Sequence, residues 1–250
     1  MVYPQFNNKH QQKALFNAHT FVAWKKTKKK IGVRFPPKWI IIFDRKLLAR
    51  FKRKHSKAKK INIASAMETY VLPHMGIVRM TGIGSPHAVT VFEELIALGG
   101  KEFIVIGTAG GLDQYGIFLC TKAVRDEGTS FHYIPHGLFA YPDEKLTKKL
   151  ANGLTRANMP FENGPTWTID APYRETIAEL HHYSKMGVKT VEMEASALFT
   201  VAKLRKVKIA AAFAVSDVLQ EEKWDPQFDQ KYLKNNLDSL LNAAIQLFSQ

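Results

Sequence analysis

The chain has 250 residues and a single cysteine, Cys120, so it can form no internal disulfide. No apolar run approaches the ~20 residues that span a bilayer, and residues 1–20 mix Lys, His, Gln and Asn with no apolar core of a leader peptide. These absences predict a reducing cytoplasm and no membrane partner. No internal repeat or low-complexity tract is visible, and the nine His and one Cys show no metal-ligand spacing. His181-His182 reads as a surface pair. Acid is scarce at one end. Residues 1–60 hold 18 of the 36 Lys and Arg but only one of the 22 acids, Asp44, and carry +17; residues 61–250 hold the other 18 and 21 acids and carry −3. A basic arm on a near-neutral body differs from a uniformly basic nucleic-acid binder, so a nucleic-acid partner is not expected.

Residues 1–37 read as a basic, poorly structured lead-in that ends at Pro36-Pro37, and residues 38–250 as one domain. Trp39–Phe43 is a continuous apolar run, as in a strand buried on both faces. Residues 45–60 suggest a basic helix with Leu47, Leu48 and Phe51 as its apolar stripe. Strands are expected at 77–80, 103–106, 117–124 and 208–215. Helices are expected from Pro86 to Gly99-Gly100 and over 143–157, 172–186, 192–206 and 229–248. This alternation predicts a layered α/β domain, a central mixed sheet flanked by helices.

Five segments could carry chemistry. Thr81–His87 (TGIGSPH) joins a strand end to a helix start, where Gly84 and Ser85 could bring backbone N–H groups to a phosphate; the alternative is a tight turn. No third glycine follows at the offset of a dinucleotide fingerprint. Gly107–Gly111 (GTAGG) is a second glycine-rich strand end, open to the same two readings. Arg125–Ser130 (RDEGTS) reads as a solvated turn with a structural ion pair. Glu192-Met193-Glu194 offers carboxylates suited to paired sugar hydroxyls, or a solvated helix start. Ser216-Asp217 follows an apolar strand, so Asp217 should be partly buried; burial raises a carboxyl from about 3.9 and suits it to acid catalysis, the alternative being a helix cap.

Together, the stretches TGIGSPHAVTVFEELIALGGKEFIVIGTAGGL (81–112), AVRDEGTSFHY (123–133), TIDAPYRET (168–176) and VEMEASALFTVAKLRKVKIAAAFAVSD (191–217) resemble the nucleoside phosphorylase superfamily of uridine phosphorylases, purine nucleoside phosphorylases and methylthioadenosine nucleosidases. The resemblance covers about residues 76–220. It implies a single α/β domain and an enzyme that cleaves the N-glycosidic bond of a purine or uridine-like nucleoside with phosphate, giving base and ribose 1-phosphate. Phosphate is then a co-substrate, with no cofactor or metal. It implies that Glu192, Met193 and Glu194 line the ribose site and that Thr108 sits at the phosphate–ribose junction. Ala109 and Gly110 would lie along the base, and residues 167–174 (Trp167, Tyr173 and Arg174 among them) would close its pocket. Asp217 would protonate a purine at N7, and His10 would match the histidine a neighbouring subunit lends to the 5′-hydroxyl. A homo-oligomer is implied: a dimer, a trimer of dimers or a hexamer.

The chain departs from the family at the phosphate. Where phosphorylases carry a Gly-Asp-Pro-x-x-Arg-like turn it has Phe43-Asp44-Arg45-Lys46-Leu47, and Val105 stands where they keep an arginine. Arg45, Arg79, His87 and Lys122 are the substitutes the sequence offers. Hydrolysis of the same bond, and nucleoside binding without catalysis, are the alternative functions. A binder of anionic surfaces through residues 1–60 is a third class, since Phe21, Trp24, Phe35 and Trp39 interleave with Lys and Arg there.

Overall fold

The computed structural model describes residues 3–28, 35–62, 66–219 and 224–249. The chain runs α1 (Ala18–Lys28), β1 (Lys38–Ile42), α2 (Arg45–Lys54), β2 (Lys59–Ile61), β3 (Met67–Val71), β4 (Gly76–Met80) and α3 (Ser85–Ala97). It continues β5 (Glu102–Gly111), β6 (Ile117–Asp126), β7 (Phe139–Ala140), α4 (Glu144–Arg156), β8 (Glu162–Ile169) and α5 (Ile177–Lys185). It ends with β9 (Thr190–Glu192), α6 (Ala195–Arg205), β10 (Lys208–Leu219), β11 (Trp224–Pro226) and α7 (Lys231–Ser249).

The eleven strands of the described residues belong to one mixed sheet, in the order β11-β10-β6-β8-β9-β5-β1-β4-β3-β2, with β7 on β6. β10 pairs with β5 as well as β6, so β5, β10, β6, β8 and β9 close into a ring, and β1, β4, β3 and β2 extend from it as an open wing. The parallel core strands β1, β5 and β10 are apolar almost throughout because helices cover both faces. Val105, Phe103 and Trp39 face α3 and α6 in one core; Ile40, Ile104 and Ile106 face α2, α4 and α7 in the other. No helix of the described residues is long and apolar enough to cross a membrane.

Several expected boundaries move. The lead-in contains α1: Asn17 accepts the Thr20 N–H at 3.1 Å as a helix cap, and Val22 is buried on the α3 side of the molecule. The basic helix keeps its Leu47, Leu48 and Phe51 stripe but stops at Lys54, because Lys59–Ile61 pairs with β3 instead. The helix expected over 172–186 starts at Ile177, where Thr176 and Glu179 form a capping box. Glu192 ends a strand rather than starting a helix. β5 runs through the glycine-rich segment to Gly111, and β10 runs past a bulge at Ser216 to Leu219. β8 lacks a strand-like sequence at Gly164-Pro165, yet it pairs with β6 across a register shift that accommodates the proline.

At the wing, Gly76 lies opposite Trp39 in the β1–β4 register, and a Cβ there would sit 2.3 Å from the fully buried indole. Gly76→Ala should therefore destabilise the fold by about 1–3 kcal/mol through overpacking. The check is a lower denaturant midpoint at an unchanged m-value.

Candidate active site

β5 changes neighbours along one edge. β1 is paired with it up to Ile42–Ile106, and β9 takes over at Val191–Gly110. Among the described residues no strand covers that edge at residues 107–109, so the backbone there faces an opening beyond the carboxyl ends of β1 and β5. Such a switch point is where open α/β sheets bind ligands. The Phe43 ring borders it, 3.6 Å from where a Gly107 Cβ would stand. Gly110 lets both flanks close in, since a Cβ there would lie 2.9 Å from Val191 Cγ1 and 3.6 Å from Asp217 Oδ2.

Glu192, Met193 and Glu194 follow Val191, whose partner in the sheet is Gly110 of β5. Glu194 is buried, and its Oε1 accepts the Gly84 N–H at 2.5 Å. Ser85 Oγ donates to the Met193 carbonyl at 2.8 Å. Gly84 and Ser85, expected on phosphate, hold the glutamate turn with those donors. Gly84 adopts φ 92°, a conformation that favours glycine. Glu192 is held by neighbouring donors. Its Oε1 accepts from the Thr168 hydroxyl at 2.6 Å, and its Oε2 accepts the N–H groups of Glu194 and Ala195 at 2.8 and 2.7 Å. It caps α6 from inside, an anion at a helix N-terminus, and holds Glu194 instead of presenting its own oxygens. Burial raises both carboxyls above the ordinary range, while these donors oppose the shift.

The support continues outward. Ser196 N–H donates to Thr168 Oγ1 at 3.0 Å and Ser196 Oγ to Glu127 Oε1 at 2.9 Å. Glu127 Oε2 accepts from Ser130 N–H, and Ser130 Oγ accepts from Arg125 Nε, both at 2.9 Å. Arg125 also donates to the Pro135 carbonyl and lies over the Phe131 ring. The segment read as a solvated turn with an ion pair is therefore a buried network in which Arg125 and Glu127 are bridged by Ser130. Ser196 has no part in the sequence reading, and Thr168, Glu127 and Ser130 enter it only within the segments 167–174 and 125–130; the signal is hydroxyl residues flanking the acids.

Asp217 is half-buried. Its Oδ1 accepts from Ser216 Oγ at 2.8 Å and its Oδ2 from the Trp224 indole at 2.9 Å. Ala109 is buried and its carbonyl accepts from Ser216 Oγ. Trp167, expected on the base, is fully buried and donates to Asp126 Oδ2, so it is a core residue. Tyr173 is fully exposed and Arg174 exposed, on a single turn over 172–174; the structure does not bring them onto the opening. Their neighbour Glu175 is half-buried instead, and its carboxyl is pushed up to about 7, by burial first and then by the charges of Asp217 and Glu179. His10 lies on the short turn Lys9–Gln11, whose Lys9 bonds His132 of the same chain. Thr108 is exposed, on the Ile106 side of β5, and lines a cleft of about 480 Å³ between α2 and α7.

A model of the phosphorylase superfamily matches residues 40–247. The purine nucleoside phosphorylase of Plasmodium falciparum is 32% identical over 173 residues, 66% of this chain and 69% of that protein. The uridine phosphorylase of Treponema pallidum is 31% identical over 153 residues, 55% and 59% of the two chains. The chain belongs to the phosphorylase superfamily. The relatives so named are nucleoside phosphorylases, which are pentosyltransferases. Among solved structures, the Toxoplasma gondii purine nucleoside phosphorylase in complex with immucillin-H superposes with a TM-score of 0.77 at 21% identity, over 86% of this chain and 90% of that one. An AMP nucleosidase of Bacteroides thetaiotaomicron gives 0.73 at 20%, over 92% and 96%. At these identities the likeness establishes the fold.

Two outcomes follow. Glu127→Gln can accept on one side only, which leaves Ser130 N–H or Ser196 Oγ facing an amide; chemical denaturation should read a loss of about 1–3 kcal/mol. For Glu175, an unfolded carboxyl near 4.5 has released its proton while the folded one, near 7, retains it, so stability falls as pH rises through that window. Glu175→Gln removes this loss, and its Tm relative to the parent should climb from about pH 5 to about pH 8.

Proposed function

We propose that the protein cleaves the N-glycosidic bond of a nucleoside by phosphorolysis, releasing free base and ribose 1-phosphate. The observation that carries this reading is Glu194, a buried carboxylate fixed by Gly84 N–H and three residues beyond Val191, which flanks Gly110 opposite Asp217. Breaking the bond builds positive charge on the ribose, which a carboxylate at the sugar hydroxyls stabilises. The C1′–N bond breaks with its electron pair passing to the base, a proton from Asp217 reaches a purine at N7, and a phosphate oxygen bonds to C1′. An acid beside the base favours a purine over a pyrimidine, whose ring offers no N7.

Hydrolysis is the second reading, and one observation favours it. Val105 and Leu48, standing where the family resemblance places arginines, are both buried among apolar side chains, so neither position offers an anion a cation.

Base release from inosine, adenosine and uridine, with and without phosphate, separates the two. Release that requires phosphate supports phosphorolysis. Release without it supports hydrolysis, and binding with no release refutes both. Asp217→Asn should lower purine cleavage about 100-fold or more with nucleoside affinity retained; an unchanged rate refutes the acid role.

A further inference from the structure

The basic charge near the amino end reads in the sequence as an arm, yet its densest part is folded. Residues 45–60 hold nine Lys and Arg and no acid, and they form α2, a turn and β2. Eight of the nine are exposed, Arg50 being the exception. Burial of Leu47, Leu48 and Phe51 against the sheet fixes how the helix is turned. Arg45, Lys46, Lys52 and Arg53 then share the outer face, at i, i+1, i+7 and i+8 of the helical repeat. Helix and edge strand make one surface. Lys52 Nζ stands 5.4 Å from the Tyr70 ring centroid, and Lys60 lies opposite Tyr70 in the β2–β3 register.

Little on this surface neutralises it. Asp44 caps α2 through the Leu47 N–H, and Asp238 holds Arg50 at 2.6 Å. Asp229 stands 3.9 Å from Lys46. Glu68 bonds Arg79 at 3.0 Å; that bond first, and then the charges of Arg79, Lys60 and Lys52, hold its carboxyl below the usual range. Among the described residues, Arg45, Arg53, Lys54, Lys57 and Lys59 have no carboxylate within ion-pair distance. Cations held together on a rigid face repel one another, and a bound polyanion relieves that repulsion.

The chemistry of the face selects its partner. No large apolar or aromatic side chain of residues 45–61 is exposed. The face therefore has nothing to seat in a bilayer interface and nothing on which an unpaired base can stack. The aromatics that interleave with Lys and Arg in the sequence lie elsewhere. Trp39 is buried with Phe35 stacked on it, and Phe21 and Trp24 are on α1, which packs on the α3 side of the sheet while α2 packs on the other. What remains is a row of cations. From Lys46 to Arg53 it rises about 10 Å along α2, and a nucleic-acid duplex offers one negative charge per ~1.7 Å of its axis.

We propose that the outer face of α2 and the rim at β2 bind the phosphate backbone of double-stranded nucleic acid, without reading its sequence. Contacts of this kind position a duplex and carry no base information. The face is independent of the reaction at Glu194, which is held by α3 on the other side of the sheet.

The test is fluorescence anisotropy of a short labelled DNA duplex, titrated with the full chain from about 50 to about 200 mM salt. The parent protein should bind with a Kd of about 10⁻⁴ to 10⁻⁶ M at physiological salt, weakening steeply as salt rises. The triple variant Arg53→Gln/Lys54→Gln/Lys57→Gln should bind at least about tenfold more weakly and lower the slope of log K against log salt by about 3. A control, Lys145→Gln/Lys149→Gln/Lys203→Gln, removes the same charge from exposed positions of α4 and α6 and should bind as the parent does. All six substitutions are on exposed side chains, and an unchanged Tm confirms that the fold is retained. No binding by the parent, binding that ignores salt, or an equal loss in the two triple variants overturns the proposal. So does tighter binding to phosphatidylserine vesicles or to the labelled single strand than to the duplex.

Discussion

Glu192 sets the condition on which the rest of the structure depends. A carboxylate removed from water is tolerated only when its oxygens are met by donors, and here the donors come from two separate stretches of chain. Thr168 ends β8, and the N–H groups of Glu194 and Ala195 open α6. Neither stretch can shift without uncovering the charge. Through Ser196 the same constraint reaches Glu127 and the end of β6, and through Glu194 it reaches Gly84 and the start of α3. In so dry a setting each bond is electrostatically stronger than in water, and an unmade one is correspondingly costly. Site and scaffold are therefore held by one network.

The sheet supplies the space that this network borders. β5 is the only strand that neighbours both the open wing and the closed ring among the described residues, and the handover from β1 to β9 leaves residues 107–109 uncovered on one edge. The opening follows from topology. β1 ends where Asp44 caps α2, and β9 arrives from the other side, tied to β8. Glycine at 110 then allows β9 and β10 to approach without a side chain between them. The cleft at Thr108 lies on the α2–α7 side of the sheet and the glutamate turn on the α3–α6 side.

Much of this was legible in the sequence where the signal is local or sits in a contiguous motif. The apolar runs of β1, β5 and β10 gave away strands buried on both faces, and the Leu47, Leu48 and Phe51 stripe marked the inner side of α2. The glycine segments and the Glu192–Glu194 and Ser216-Asp217 pairs lie at or near the ends of β4, β5, β9 and β10. What failed depends on contacts between distant residues. Nothing near Glu127 signals that Ser196, 69 residues away, will bond to it, and no strand is expected over 162–169, because the register shift that admits Pro165 belongs to β6. Gly84 and Ser85 had the composition of an anion loop, but their partners lie in another turn of chain. Trp167 falls within a stretch of family resemblance, yet its ring faces the core, and Glu175 rather than Tyr173 or Arg174 is the member of that turn drawn toward Asp217.

The two ends of the sheet have a different consequence. β2 is three residues long, and Lys59 and Lys60 on it are exposed; β11, at the opposite end, is equally short and includes Pro226, which has no N–H to offer. An unpaired strand invites another chain to add to it, and short length, lysine and proline are the devices that discourage this. Lys59 and Lys60 thus set two of the basic charges of residues 1–60 on a rim of the sheet, where charge opposes edge-to-edge pairing. Any association between copies of this chain must then use helices, loops or the broad faces of the molecule, because neither rim of its sheet is a good template for growth.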